Sequence, residues 1–315
     1  MSDKNGSCAF RTTIGGQALI EGILMRGVTR QAIVCRTPEG LVEKTEELKY
    51  IKDRYPVLGW PFIRGCAVFL DSLVKGMKAL TYSAELQPAE AQGEPDPIDR
   101  WITAHFSEEK AQKLIVGVAA ALGIALSVFL FIFLPAFVVG LVPALKTSYF
   151  VRNLSEGLVR VLILLGYMKG VTCVSDVKRL FAYHGAEHKT IFCYEHGRPL
   201  TLENVRTESR FHPRCGTSFL LVVVIVSILV NAFVRLDNSF ARMGCHLLLL
   251  PLVVGISYEI NRWCGKHDNL LSSILSAPGK WLQKLTTNEP DDGMIECAIR
   301  AMELVIPEEK GSDIW

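Results

Sequence analysis

Charge is scarce in this sequence, and the scarcity is local. Lys, Arg, Asp and Glu make up 21% of the 315 residues, against roughly 25% in an average soluble domain. None of them occurs from Leu114 to Leu145, from Gly216 to Val234 or from Met243 to Tyr258. Such runs exclude a disordered chain, a collagen and a plain soluble globule. The formal net charge is +2, so there is no basic excess to call for nucleic acid, and none is expected as a partner. No CxxC pair occurs among the nine cysteines, which excludes a zinc ribbon and a thioredoxin-like motif. Their odd number and scatter speak against a secreted disulfide scaffold and for reduced thiols facing a cytosol. G-x-x-x-x-G-K-[ST], G-x-S-x-G, H-E-x-x-H and G-x-G-x-x-G are also missing. The P-loop, nucleophile-elbow, zincin and dinucleotide-binding signatures go with them. The first long apolar run starts only at Leu114, so insertion through internal segments is expected, without a signal peptide.

What is present predicts an α-helical multi-pass membrane protein of about four spans with a small β-containing N-terminal cytoplasmic unit. The expected divisions are an N-terminal α+β unit at 1–86, a linker and amphipathic segment at 87–113, and a membrane domain at 114–260. That domain holds a central cytoplasmic loop at 175–215, and a C-terminal cytoplasmic tail follows at 261–315. In the first unit, Ala18–Met25 is apolar between Gly15-Gly16 and Gly27. Ala32–Arg36 and Leu41–Leu48 read as strands about a Pro38-Glu39-Gly40 turn. Ile63, Val68 or Phe69, Leu73, Met77 and Leu80 then recur at helical spacing, punctuated by Arg64, Asp71, Lys75 and Lys78. This is an amphipathic helix too polar to span, suited to a membrane surface or to covering the strands. Gln87–Asp99, rich in proline and acidic residues, has the composition of an exposed linker.

At about 1.5 Å per residue, Leu114–Leu145 reaches about 48 Å, more than a hydrocarbon core of about 30 Å. Leu114–Leu134 alone covers about 31 Å, and Pro135 is expected to end or kink the helix. Gly216–Val234 covers about 28 Å, and Met243–Tyr258 about 24 Å with Arg242 and Arg262 placed to snorkel. Leu154–Val174 holds Glu156, Arg160 and Lys169. With Glu156 and Arg160 paired at i, i+4 it is a weak crossing; otherwise it is a surface helix. Four spans put both termini on one side. The 175–215 segment then carries Lys178, Arg179, Lys189, Arg198, Arg206, Arg210 and Arg214, against Lys146, Arg152, Arg235 and Arg242 opposite. That asymmetry orients the segment and both termini towards the cytoplasm. No ladder of acidic residues runs through the spans, which argues against an ion-driven transporter.

Four of the seven histidines lie between residues 184 and 212. Their core is Tyr183-His184-Gly185-Ala186-Glu187-His188-Lys189. On a helix His184 and His188 share one face, as two ligands of one metal require. Glu187 beside them is placed to take a proton from water, the H-x-x-E-H order of inverted zincins. Glu195, His212 and Cys215 are candidates to complete the shell, with Cys193, His196 and Glu203 as further donors. Zinc accepts all of these types, and a catalytic site keeps one position open. Alternatively the cluster pairs with lipid phosphates or with the segment's own arginines. Gly185 inside the motif weakens the helix. His246 within the last span is a further candidate by position.

Gly15-Gly16-Gln17-Ala18-Leu19-Ile20-Glu21-Gly22-Ile23-Leu24-Met25-Arg26-Gly27 resembles the opening signature of the bacterial DUF1385 family. Tyr183–Lys189, Tyr194-Glu195, Leu200–Arg206 and His212–Phe219 resemble its central signature. Ser257-Tyr258-Glu259 and Pro278–Ala298 resemble its tail. The resemblance implies a multi-pass bacterial membrane protein, of a family sometimes described as a predicted metal-dependent enzyme. It draws Glu21 and Arg26 into the candidate set, facing the site or pairing with each other. The expectation is therefore a membrane metalloprotein of the bacterial inner membrane, holding a divalent ion, zinc by preference, as a possible hydrolase. The alternative is a non-enzymatic membrane adaptor or assembly protein with a structural His cluster. The expected partners are the lipid bilayer and a protein or membrane-associated substrate that the sequence does not specify.

Overall fold

The computed structural model describes residues 8–49, 55–88, 101–102, 105, 107–146, 148–267 and 269–315. Most of the expected 87–99 linker lies outside them. The chain forms two compact units interleaved along the sequence. The first takes the segment up to Gln87 with Met168–Val226 and Pro251–Trp315; the second takes Pro88–Tyr167 and Ser227–Leu250.

The first unit contains a four-stranded antiparallel meander of β1 (Gly15–Leu19), β2 (Gly22–Arg26), β3 (Arg30–Thr37) and β4 (Gly40–Glu47). The β3–β4 hairpin is the one its sequence predicts. The apolar Ala18–Met25 run is itself a hairpin, with Leu19 opposite Gly22 and Glu21 at positive φ in its two-residue turn. The sheet is covered on both faces, which is why β2 reads as an unbroken apolar run. Ile23, Met25, Ala32 and Val34 face a core shared with α5 (Ser175–Glu195) and α10 (Asp292–Glu303). Leu24, Ile33 and Cys35 face Ala79 and Tyr82 of α1 (Ile63–Glu85). β4 is the exposed edge and carries mixed charge, which discourages edge-to-edge pairing.

Helix α1 covers the strands with Tyr82 and otherwise with small residues. It buries Gly65, Gly76, Ala79 and Ser83 and leaves Leu70, Leu73 and Met77 exposed. Its first turns pack on α8 (Ser239–Lys266). Gly65 lies against Gly255 and Tyr258, and Arg64 Nε donates to Glu259 Oε1 at 2.7 Å. Glu259 thus pairs with Arg64 and not with Arg262, its neighbour on the same helix.

The second unit is helical. Its first apolar segment runs as α2 (Glu108–Val128), a π-turn at Phe129–Phe133 and α3 (Leu134–Gly140). The expectation that Pro135 ends or kinks this helix holds only in the irregularity before it: the helix does not end there, and a π-turn precedes the proline. Proline cannot bond the carbonyl four residues earlier, that of Phe131. Arg160 of α4 (Tyr149–Val171) takes that carbonyl, with Nε 2.7 Å away, and the π-turn absorbs the misfit. The Glu156–Arg160 pair expected within α4 also gives way: Glu156 meets Arg242 of α8 at 2.9 Å. Among the described residues two helices are long and apolar enough to cross a membrane, Leu114–Gly140 and Phe240–Lys266. A third arises only if Tyr149–Val171 and Ser175–Glu195 count as one bent span. The clean span expected at 216–234 is α7 (Gly216–Asn231), whose 16 residues reach only about 24 Å. The remaining helices are α6 (Leu202–Thr207) and α9 (Leu270–Thr286).

Candidate metal centre

Helix α5 carries His184, Glu187 and His188 on the side facing β1 and the Arg210–Cys215 turn. Gly185 permits the tight approach that orients His184. A Cβ there would stand 2.1 Å from the Asn288 carbonyl oxygen. Without one, the chain leaving α9 runs against α5, and Asn288 N–H donates to the Phe181 carbonyl at 2.8 Å. This puts the Thr286 carbonyl 2.8 Å from His184 Nδ1. On the next turn His188 Nδ1 lies 2.6 Å from the Arg210 carbonyl. A carbonyl only accepts, so both Nδ1 atoms carry the hydrogen and both Nε2 lone pairs are left for a ligand. Backbone carbonyls orient metal-binding histidines in this way.

The third donor is Cys215, which stands just ahead of α7. Its Sγ is 3.1 Å from His184 Nε2. The donor atoms of His184, His188 and Cys215 all lie within 4.8 Å of one another. Zinc bonds of about 2.0–2.3 Å place tetrahedral ligand atoms about 3.3–3.6 Å apart, within reach of small side-chain shifts. Among the described residues, neither the buried His188 Nε2 nor the buried Glu187 Oε2 has a hydrogen-bond partner. Buried polar atoms left unpaired at one place need a ligand or water to satisfy them. The residues present therefore fit a divalent ion with two nitrogens and one sulfur.

Electrostatics set Cys215 and His184 as a thiolate–imidazolium pair, and His184 would release its Nε2 proton on binding a divalent ion there. Burial opposes a thiolate at Cys215, but His184 and His188 hold the thiol well below its usual range. Loss of water opposes charge on His184 as well, yet the Cys215 sulfur, with help from Glu187 and the Thr286 carbonyl, lifts it to about 9. Burial raises the Glu187 carboxyl, partly offset by the two histidines. Glu187 Oε1 accepts the Gly16 N–H at 3.0 Å, which fixes the carboxylate beside the cluster. A cleft of about 500 Å³ opens over these groups, walled by Gly16, Leu180, Phe181, Thr217 and Trp315 among others.

Glu195 and His212 form a separate, neighbouring network. His212 Nε2 lies 3.3 Å from Glu195 Oε2, and Arg214 pairs with Oε1, which also accepts Thr12 N–H at 2.9 Å. Burial holds His212 neutral, down to about 4. Burial opposes charge on Glu195, but His212 and Arg214 keep its carboxyl below the usual range. Gln283 of α9 clamps the turn, accepting His212 N–H at 2.8 Å and donating to the His212 carbonyl at 2.7 Å. The structure thus brings Cys215 to the histidine pair, and not Glu195 or His212.

Glu21 and Arg26 neither join the cluster nor pair with each other. Glu21 takes both Arg179 nitrogens at 2.6 Å, and Arg26 donates to Ser72 of α1. His246 belongs to the second unit, where its buried Nε2 has no hydrogen-bond partner among the described residues. Of the orienting groups, Gly16 and Gln283 fall in the segments that carry the family resemblance and Gly185 inside the histidine motif, but no sequence signal marked their orienting role, and the two backbone carbonyls had no signature.

Fold and site together define a mostly helical protein that has helices able to cross a membrane and a buried His₂Cys cluster under a small sheet. The family model "Protein of unknown function (DUF1385)" matches residues 60–308. A relative, the "Uncharacterized protein YqhQ" of Bacillus subtilis strain 168, is 33% identical over 299 residues, covering 91% of this chain and 90% of that protein. The chain belongs to the DUF1385 family. No solved structure matches it.

Proposed function

We propose that this chain is a membrane-inserted metalloprotein that uses a divalent ion, zinc by its donor set, to hydrolyse a substrate at the cytoplasmic face of the bacterial inner membrane. The observation that carries this is the convergence of His184, His188 and Cys215 within 4.8 Å, on the same helix face as an unpaired carboxylate oxygen of Glu187. A divalent ion in such a site supplies Lewis-acid chemistry and makes water a stronger acid. His184 and His188 hold and orient it through Nε2, and Cys215 neutralises half its charge. Glu187 accepts a proton at Oε2 while Gly16 steadies Oε1. Burial raises its proton affinity above that of a free carboxylate, the direction a general base needs. The charge asymmetry about 175–215 supports the cytoplasmic orientation, and the apolar helices support insertion, with four spans if α4 and α7 also cross.

The 3.1 Å contact between His184 Nε2 and Cys215 Sγ favours a second possibility, a thiolate nucleophile with His184 as its base. Elemental analysis of the detergent-purified full chain separates the two. Stoichiometric metal that is lost in His184→Ala and His188→Ala supports the metal centre. Metal retained in the double variant, or absent from the native chain with Cys215 readily alkylated, overturns it.

A further inference from the structure

Helices α1 and α9 turn a mostly small or polar side, with Tyr82 and Leu282 on it, to the protein and a row of large apolar residues to the outside. In α9, Ser272, Gly279 and Gln283 are buried. Leu270, Ile274 and Trp281, spaced along one face, are 77%, 57% and 50% exposed. In α1, Leu70 and Leu73 are 58% and 48% exposed. Stripes of this kind mark interaction surfaces.

We propose that α1 and α9 lie in the interfacial layer of a lipid bilayer and hold the His184–His188–Cys215 centre at the membrane surface, so that it meets a membrane-borne substrate. This rests on the membrane insertion proposed above.

Three features select lipid as the occupant. The first is continuity with the apolar helices. α1 packs along the Pro251–Glu259 part of α8, through Gly65 and the Arg64–Glu259 pair. Its Phe69 ring lies 6.1 Å from that of Phe219 in α7. α9 starts afresh after α8, with an Asn269–Ser272 capping box, and packs Gly279 and Gln283 on Ser218 of α7. Both stripes therefore flank the first turn of α7. The second feature is charge. The only charged residues of α9 are Lys280 and Lys284, and a basic polar face above an apolar one suits anionic headgroups. The third is end placement: exposed Trp60 and Phe62 stand at the start of α1, where interfacial aromatics anchor.

The site follows directly from this placement. Cys215 immediately precedes α7, and the Thr286 carbonyl that orients His184 is in the last residue of α9. The cleft is walled in part by Gly216 and Thr217, the first residues of α7. Seating α1 and α9 at the interface thus keeps Cys215 and the carbonyl that orients His184 on elements that meet the bilayer.

The test uses the full chain in phosphatidylcholine–phosphatidylglycerol vesicles, with an environment-sensitive fluorescent amino acid encoded at Leu73, at Ile274 or, as a control, at Glu303 of α10. Phosphatidylcholine brominated near the headgroup should quench most of the emission at Leu73 and Ile274, bromine near the chain ends much less, and neither should affect Glu303. Protein that floats with the vesicles yet shows no quenching at the two helices has them covered by a second copy or another protein, which overturns the proposal. Stronger quenching from the chain ends overturns it too. Failure to float overturns membrane insertion itself. Metal content does not enter the readout, so the metal centre and the interfacial placement can fail separately.

Discussion

Replacing Gly185 with alanine sets helix propensity against packing. In the middle of α5 the exchange favours the helix by about 1 kcal/mol. The new Cβ, however, would stand 2.1 Å from the Asn288 carbonyl oxygen, where ordinary contact begins at 3.4 Å. The gap to be opened is 1.3 Å (3.4 less 2.1), and the obstructing atom is backbone. That backbone is pinned, because Asn288 N–H bonds Phe181 O and Asn288 Nδ2 bonds Lys178 O at 3.0 Å. Overpacking costs about 1–3 kcal/mol, and each hydrogen bond lost about 1 kcal/mol more. Packing wins, with a net destabilisation of about 1–4 kcal/mol. The same shift withdraws the Thr286 carbonyl from His184 Nδ1, and loss of such an orienting group weakens metal binding by about 10–100-fold. Gly170→Ala is the control, since nothing lies within 4 Å of its Cβ position. Thermal midpoints in detergent and chelator-competition zinc affinities report both effects. A Gly185→Ala protein as stable as Gly170→Ala, with native zinc affinity, would refute the packing argument.

Three further outcomes are expected. Glu187→Gln keeps the side chain's shape but not its basicity, so metal content should stay native while complementation of a deletion strain fails, in line with a 10²–10⁴-fold loss, about the range for a general base; full complementation at matched expression would remove Glu187 from the chemistry. Acid should destabilise the fold: His212 drops to about 4 from 6.5 when folded, so the unfolded chain takes up its proton first and stability falls as pH drops through that window. The lowered Glu195 carboxyl acts in the same direction at lower pH; His212→Asn should flatten the decline in thermal midpoint, and an unchanged decline would assign it elsewhere. For topology, Cys193 and Cys297 are poor reporters because both are buried, whereas Cys173 is exposed; a membrane-impermeant maleimide should label Cys173 only after cells are permeabilised, and labelling of intact cells would reverse the orientation.

Much of the fold was legible because it rests on local signals. Alternation about Pro38-Glu39-Gly40 located the β3–β4 hairpin, and helical spacing located α1. What each helix does with its apolar residues was not legible. The large residues of α1 look like a core face, but Gly76, Ala79 and Tyr82 are what fit against the sheet. The helix also continues through Pro135, because Arg160, distant in sequence, supplies the donor that proline lacks. Such substitutions of one partner for another depend on tertiary contacts, which periodicity does not encode. For the same reason the i, i+4 spacing of Glu156 and Arg160 offers a pair within the helix, whereas Arg242 is the partner of Glu156.

In the site, helical spacing placed His184, Glu187 and His188 on one face, but not the roles of the two glutamates of α5. Glu187 and Glu195 are eight residues apart, about 12 Å along the helix. Thr12 and Gly16 are four residues apart, about 13 Å along an extended chain. The two spacings match, so each carboxylate accepts one backbone N–H from the segment entering β1, Glu187 from Gly16 and Glu195 from Thr12. The difference lies in the second oxygen. That of Glu195 meets His212, with Arg214 on the first, which commits the residue to holding the Arg210–Cys215 turn. That of Glu187 is buried and meets no partner among the described residues. Equivalent in sequence chemistry and equivalently pinned to the strand, the two residues diverge only because the turn carrying Cys215 closes over one of them. The closure that spends Glu195 on structure is the one that delivers the cysteine sulfur to His184 and leaves Glu187 with an unpaired oxygen beside it.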